Sequence, residues 1–536
     1  MKRLFTLLAL FAFLNLNAQW NTDTAVNTLV VDSEGGDMKA IGTSDGKTYV
    51  VFWKVVSAPT NYELRLQVLD VDGSQMLGND GILVSSTLPM STFTVIWNIG
   101  IDANDNLYIG ATGTGGGEPA YVFKLDSSGN HLWGTSGVNV GSGYSVTILP
   151  LSTGAAIVSW FPSGEAVMQK FDSSGVAVWG SSQPVLNAGN DTVPANMFEL
   201  SNGDYILVFH SLTFGINSIL YAQRYNSDGM PQWANPTQLS NNGTVFNTSY
   251  SGLQDGDVVY MGYKASPGSR FDSFLQRIDG DGSLPWGING TDFDLNQTDY
   301  EMNTQIAYES GSDYIWAICT YTNPSQGQKG EYVQKFDKTS GERQLTDNAK
   351  QVYAIGSEKI HVGGLQLKND SPLFLLKSGL DNGSNPTTLG VVYLTDTGDF
   401  AWMEESREVA TFSANKSRIH YTKPVNNQSV AVFIEEKSGP PKIYAQNFID
   451  EVLASEEFEG FRLFYNNPIS NELRINSAVE IEAVAIFSVL GQRVYNKTYN
   501  TNSNISINTE EWSSGLYVVV ITLNDGVQKE IKLIKN

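Results

Sequence analysis

From Tyr121 to Trp133 the chain reads YVFKLDSSGNHLW, and the arrangement returns as VMQKFDSSGVAVW (Val167 to Trp179), YAQRYNSDGMPQW (Tyr221 to Trp233) and FLQRIDGDGSLPW (Phe274 to Trp286). Weaker copies start at Arg65, Tyr332 and Val391, and a partial one runs from Ile443 to Asp450. The turn glycines Gly73, Gly129, Gly175, Gly229, Gly282, Gly341 and Gly398 are 46 to 59 residues apart. Asp126, Asp172 and Asp279 open three of the turns; such a side chain accepts bonds from turn amides, and glycine tolerates the positive φ a tight hairpin needs. Each copy is therefore expected to fold as strand, turn, strand. Trp133, Trp179, Trp233 and Trp286, with Trp402 in the equivalent place, put one indole per unit, suited to the seam between neighbouring sheets. Gln67, Gln169, Gln223, Gln276, Gln334 and Gln446 recur three residues before the turn, placed to bond the backbone of an adjacent strand.

Between these hairpins lie apolar runs such as NLYIGA (from Asn106), AAIVSW (from Ala155), DYILVF (from Asp204) and DYIWAICTY (from Asp313), each behind a turn signal. A unit of about 50 residues thus holds around four strands, the content of a propeller blade. The fold expected is all-β, an eight-bladed β-propeller over 19–453, with seven blades and an irregular piece as the competing count. The last hairpin lacks its Trp-bearing arm. Because Gln19-Trp20-Asn21 resembles the QWAN at Gln232, the segment from about Trp20 to Val26 is expected to supply the outer strand of the eighth blade.

Composition agrees. The 536 residues carry 33 basic and 56 acidic side chains, a net charge of −23, with 51 Gly, 24 Tyr, 25 Phe and 11 Trp. That charge repels phosphate, so nucleic acid is not an expected partner. The single cysteine, Cys319, excludes an internal disulfide and any Cys-based zinc site; within an apolar strand it reads as a buried structural thiol. Lys2 and Arg3, an apolar run from Leu4 to Leu14 and then Ala18 make a secretory signal peptide over 1–18, and no later run is long enough for a transmembrane helix.

The D-x-x-G-x-x-x-W unit resembles the tryptophan-docked repeat of quinoprotein-type propellers. That resemblance implies the eight-bladed scaffold. It does not carry a cofactor across, because the vicinal cysteine pair those enzymes typically use is missing here, and none is expected.

The last 76 residues read differently. Alternating strands, a hairpin in VAIFSVLGQRVY and the buried run GLYVVVI predict a small C-terminal β-sandwich over 461–536, behind an acidic linker, 454–460, without a strand pattern. Tyr465-Asn466-Asn467-Pro468, then VLGQ with Gly491, WSSGLY with Gly515 and Tyr517, and a basic final strand with Lys535 are similar to the type A sorting domain of the type IX secretion system of Bacteroidota. Asn466 departs from the usual Y-P-N-P. The resemblance implies export to the outer cell surface or medium, with the type IX translocon and its sortase-like peptidase as partners.

Chemistry is harder to find. His131, His210, His361 and His420 show no metal-ligand spacing. Asp70-Val71-Asp72-Gly73 and Asp279-Gly280-Asp281-Gly282 lack the terminal Glu of a calcium loop and read as turns, so no metal ligand is assigned. No P-loop is present. The reading that follows is a secreted or cell-surface, non-catalytic propeller binding glycan or protein, in effect an adhesion module. The alternative is a secreted polysaccharide hydrolase or lyase, which would show two close carboxylates in an open funnel.

Overall fold

The computed structural model describes residues 20–536 apart from 58–60, 87, 89–96, 114–116, 213–217, 246–248, 381–384, 438, 451–452, 459–460, 490, 525–526 and 536. The signal-peptide segment 1–18 lies outside the described residues. The chain forms two compact units, one reaching Phe448, the other made of Asn426–Gln428 and Ile449–Asn536. Among the described residues every regular element is a strand.

The first unit is propeller-like. Six four-stranded antiparallel sheets follow one another over 35–85, 98–142, 144–184, 191–238, 251–292 and 300–353. A seventh sheet has seven strands, because the long strand Arg407–Tyr421 pairs through its first half with Thr387–Tyr393 and through its second half with Gln428–Glu436. In each sheet the second strand is the most apolar, and it is buried on both faces: Leu107–Thr112 is buried throughout, and Tyr314–Thr322 everywhere but its first residue. The fourth strands are short, only two residues at Gln183–Pro184, Thr237–Gln238 and Thr291–Asp292, which leaves little unpaired edge.

The repeated turn forms as its residues require. Gly129 N–H donates to Asp126 O (3.0 Å), the Asp126 carboxylate accepts from Ser128 N–H and Asn130 N–H (2.9 Å each), and Gly129 sits at φ 81°. The second arm is not the expected strand. After the turn only one isolated bridge forms (Leu125 with His131, Phe171 with Ala177, Tyr225 with Pro231), and the Trp falls in the bend beyond it. The reason is the glutamine. Gln169 Nε2 donates to Trp179 O and its Oε1 accepts Trp179 N–H (3.2 Å each), and Gln223 holds Trp233 in the same way. One side-chain amide takes the ladder bonds where the arm leaves the sheet, fixing the backbone that carries the indole.

Each indole crosses a seam. The Nε1–H of Trp133, Trp179, Trp233 and Trp286 donates to a carbonyl in the next sheet's turn: Ser173, Ser227, Gly280 and Thr339. A Cβ added at Gly175 would lie 2.7 Å from the Trp133 ring, so these glycines also make room for the indole. Trp402 departs from the pattern: it stacks under the Arg407 guanidinium, 4.1 Å from the ring centre, and against Phe448.

Closure uses the expected tryptophan but a different strand. Trp20 Nε1–H donates to Val71 O (2.8 Å) and its ring covers Gly73, while Gln446 Nε2–H donates to Asn21 O (2.6 Å). The strand that pairs with Lys442–Ile449 is Thr28–Val31, not 20–26, because Asn21 to Val26 turn back on themselves (Val26 N–H to Asp23 O, 2.9 Å). Val30 and Val31, both fully buried, complete a core with Val432, Ile443 and Phe52.

In the second unit six strands form one hydrogen-bonded sheet around a single core that includes Leu463, Ile475, Ile486, Val519 and Leu533. Glu472–Ser488 shifts register along its length, pairing with Phe461–Asn466 near its start and with Gly515–Leu523 further on. The segment 454–460 is not strand-free as expected: Leu453–Phe458 pairs along its whole length with Phe461–Asn466, so backbone pairing overrides the acidic composition there.

Candidate functional site

The sheets place a group of acids at the fifth seam. Asp292 ends the outer strand Thr291–Asp292 of the fifth sheet, Asp294 follows in the connection, and Glu301 is the second residue of the sixth sheet's inner strand, Tyr300–Ala307. One oxygen from each of the three lies within 4.8 Å of the other two. Asp294 and Glu301 are 1% exposed, and Asp272, at the start of the strand Asp272–Ile278, is 2% exposed beside them. The Tyr321 hydroxyl donates to Asp294 (2.6 Å), Ser273 N–H to Glu301 (2.8 Å), and Arg270 pairs with Asp272 (2.6 Å).

Burial with like charges alongside favours the protonated forms. Asp292 is pushed up to about 7 and Asp272 to about 6, with burial the main cause and neighbouring acids the next for Asp292. Burial, then Asp294, raises Glu301 well above the carboxylate range, and burial raises Asp294. Chemically the group is a store of protons and a set of hard oxygen donors of the kind calcium takes. It is not a polysaccharide-cleaving pair, because two of its three members have no surface for a polymer to reach.

Polar groups continue from this cluster to the next seam. Thr304 meets Ser273 and donates to Cys319 Sγ (3.8 Å); Cys319 is fully buried, as the sequence implied, and burial raises its thiol pKa. Glu331 and His361 form a fully buried pair at 2.8 Å, and Asn303 lies 3.1 Å from His361 Nε2. Beside Asn303, between the fifth and sixth sheets, opens a cavity of about 150 Å³ lined by Ser249, Ser251, Lys264, Asn303, Thr304 and Gln305 among others. A wider hollow of about 410 Å³ lies over the inner turns of the third to fifth sheets, where Ser152 N–H and Oγ–H both donate to Glu199.

Sequence reasoning missed Asp292, Asp294 and Glu301. The available signal was the run DFDLNQTDYE, which spaces four acids over ten residues just after a repeat's Trp. Of the two turn acids, Asp281 receives Ser283 N–H (2.9 Å), while the Asp279 carboxylate receives Nε–H of the strand residue Arg277 (2.7 Å) and Asp279 O receives Gly282 N–H (2.8 Å). The histidines stay apart, His361 alone joining the acids' neighbourhood.

Three of the tail motif residues gather on the final strand, where Gly515 pairs with Lys535 and Tyr517 with Leu533. Asn467 Oδ1 accepts Ile534 N–H (2.8 Å) and its Nδ2 donates to Lys532 O (3.0 Å), tying the motif to the final strand that holds Lys535. Tyr465 is buried, and the cis bond Asn467–Pro468 follows. Asn466, at the irregular position, is buried and bonds Arg474 N–H and Glu472 O. Gly491 (φ 76°) and Gly515 (φ 149°) take positive φ, and the Tyr517 hydroxyl donates to Ser513 O (2.8 Å).

Residues 463–536 match the family model of the secretion system C-terminal sorting domain. The chain therefore carries a type IX export signal, which implies a secreted or outer-surface location. No curated protein sequence matches the chain. Among solved structures, a puromycin hydrolase aligns at 13% identity over 85% of this chain with a TM-score of 0.41, and the chain spans 62% of that protein's length. Prolyl oligopeptidase B from Galerina marginata aligns at 12% identity over 75% of this chain and 56% of its own (TM-score 0.41). The polysaccharide lyase Uly1 aligns at 11% over 66% of this chain and 89% of its own (TM-score 0.38). Among the described residues there is no helix long and apolar enough to cross a membrane.

Proposed function

We propose that this is an exported, non-catalytic binding protein: an eight-bladed propeller of the tryptophan-docked type, 19–453, that presents glycan- or protein-binding surface outside the cell, followed by a sandwich-like sorting tail, 461–536. The observation that carries the reading is where the reactive groups sit. Asp294, Glu301, Glu331, His361 and Cys319, the residues best suited to acid–base or nucleophilic work, are each 1% exposed or less, sealed in seams between sheets. What reaches solvent beside them is a small polar cavity. Residues 1–18 act as the signal peptide, and the pathway's sortase-like peptidase removes the tail, leaving the propeller attached to the surface or released.

The test is a glycan array, with a panel of chromogenic polysaccharide substrates, probed with the purified chain lacking only its signal peptide. Saturable binding without turnover is the expected result. Turnover of any substrate at a rate abolished by a single carboxylate variant would make the protein a hydrolase or lyase and overturn the reading.

A further inference from the structure

Lys264 is the one cation in the wall of the cavity between the fifth and sixth sheets, among the lining residues described above. It is partly buried at the end of the strand Val258–Ala265, opposite Ser273. Among the described residues its ammonium makes no ion pair and no hydrogen bond, and it lies over the face of Phe271, 5.0 Å from the ring centre. Burial lowers its pKa. A desolvated cation left unpaired is costly, and two buried lysines elsewhere in this unit are matched, Lys416 by Glu435 at 3.0 Å and Lys124 by Asp102 at 3.3 Å. The remaining wall carries no acid. Gln305 presents an amide with no partner among the described residues, Asn303 is exposed close by, and Ser249 and Ser251 add hydroxyls.

We infer that this cavity binds a small hydroxy-carboxylate, of the kind presented by a uronic-acid residue of an acidic glycan, with Lys264 as its counter-ion and Gln305 and Asn303 as amide donors to the ligand. Size sets the class. About 150 Å³ is some ten times the ~10–15 Å³ that one water requires, yet below the ~300 Å³ at which pockets take drug-sized ligands, so a single sugar-sized group enters and a polymer segment does not. Local charge sets the polarity, because a cation in a wall that carries hydroxyls and amides but no acid draws an anion, against the general repulsion of a chain of net −23. Hydroxyl and amide neighbours favour a ligand that carries its own hydroxyls over a bare inorganic anion.

The inference rests on the binding function proposed above and names its ligand class. Isothermal titration of the chain lacking only its signal peptide, with sodium glucuronate, is the test; glucose, sodium sulfate and a C-terminal dipeptide carboxylate serve as comparison ligands. Expected are saturable glucuronate binding, at least tenfold weaker binding of the other three, and at least tenfold weaker glucuronate binding in Lys264→Met. Gln305→Glu, on a partly exposed wall position, puts a like charge against the carboxylate and is expected to weaken binding by a similar factor while the melting temperature stays at the parent's. Absence of saturable glucuronate binding, equal affinity for glucose, sulfate or the dipeptide, or unchanged affinity in a folded Lys264→Met or Gln305→Glu variant overturns the inference. A glycan that the chain binds with affinity unchanged by both substitutions keeps the binding function and removes this cavity from it.

Discussion

Removing residues 20–31 tests the closure of the first unit, and its cost can be worked from the contacts. Trp20 contributes one hydrogen bond to Val71 O, worth about 1 kcal/mol, and an indole packed over Gly73; truncating a buried Trp costs about 3–5 kcal/mol, so about 2–4 suits this half-buried one. Val30 and Val31 are fully buried, and each removes about 1.5–3 kcal/mol of burial when lost. With the hydrogen bond counted inside the Trp figure, the sum is about 5–10 kcal/mol, comparable with the whole stability of an ordinary domain, about 5–15 kcal/mol. The deletion also bares the edge of the strand Lys442–Ile449, whose partner is Thr28–Val31. The assay is urea unfolding of the secreted chain followed by tryptophan fluorescence and circular dichroism, with Trp20→Ala and Trp286→Ala as single-site comparisons. The deletion is expected to leave the first unit largely unfolded or aggregated, and Trp20→Ala to lower the midpoint by an amount equivalent to about 2–4 kcal/mol. A deletion variant whose unfolding midpoint matches the parent's would show that the two chain ends do not hold the ring together.

Other consequences are as direct. Asp292 and Asp272 hold their protons up to about pH 7 and 6 in the folded chain but release them near pH 4 when unfolded, so stability is expected to fall as pH rises from about 4 to 7; Asp292→Asn flattens that slope and raises the melting temperature at pH 8, and an unchanged slope refutes the burial argument. Gly175→Ala places a methyl 2.7 Å from the Trp133 ring at φ 82° and is expected to cost at least about 1 kcal/mol, whereas Gly180→Ala, with open space around it, costs less; equal midpoints in chemical denaturation would contradict the docking role of the turn glycine. Asn467→Ala removes two bonds to the final strand and is expected to reduce the exported fraction, read by immunoblotting of the medium and cell envelope; undiminished export would separate the motif's geometry from its recognition.

What the sequence made legible was periodic, and what it hid was relational. Asp126 and Gly129 declare their turn because the bonds they make reach only two to four residues along the chain. Trp133 declares a seam because a large apolar ring recurring once per unit has few other uses, although its acceptor, Ser173 O, lies forty residues away and carries no side-chain signature. The glutamine was visible as a repeat but not as a mechanism, since its bonds go to main-chain atoms ten residues on, where the expected strand has already broken. Thr28–Val31 was misplaced for a related reason: the similarity of Gln19-Trp20-Asn21 to QWAN fixed the indole, but the turn at Asp23 to Val26 inserts residues that the other copies lack, and pairing depends on register, which composition does not encode. The acidic group was least legible of all. Asp292 and Asp294 belong to one sheet's exit, Glu301 to the next sheet's entry and Asp272 to a strand start some twenty residues earlier, and only stacking of the fifth sheet on the sixth brings them within reach of one another. The same stacking leaves Lys264 facing a hollow with no acid in its wall. A repeat therefore announces the scaffold it builds, while the chemistry collects at seams, where residues from different repeats meet and where no copy has to resemble any other.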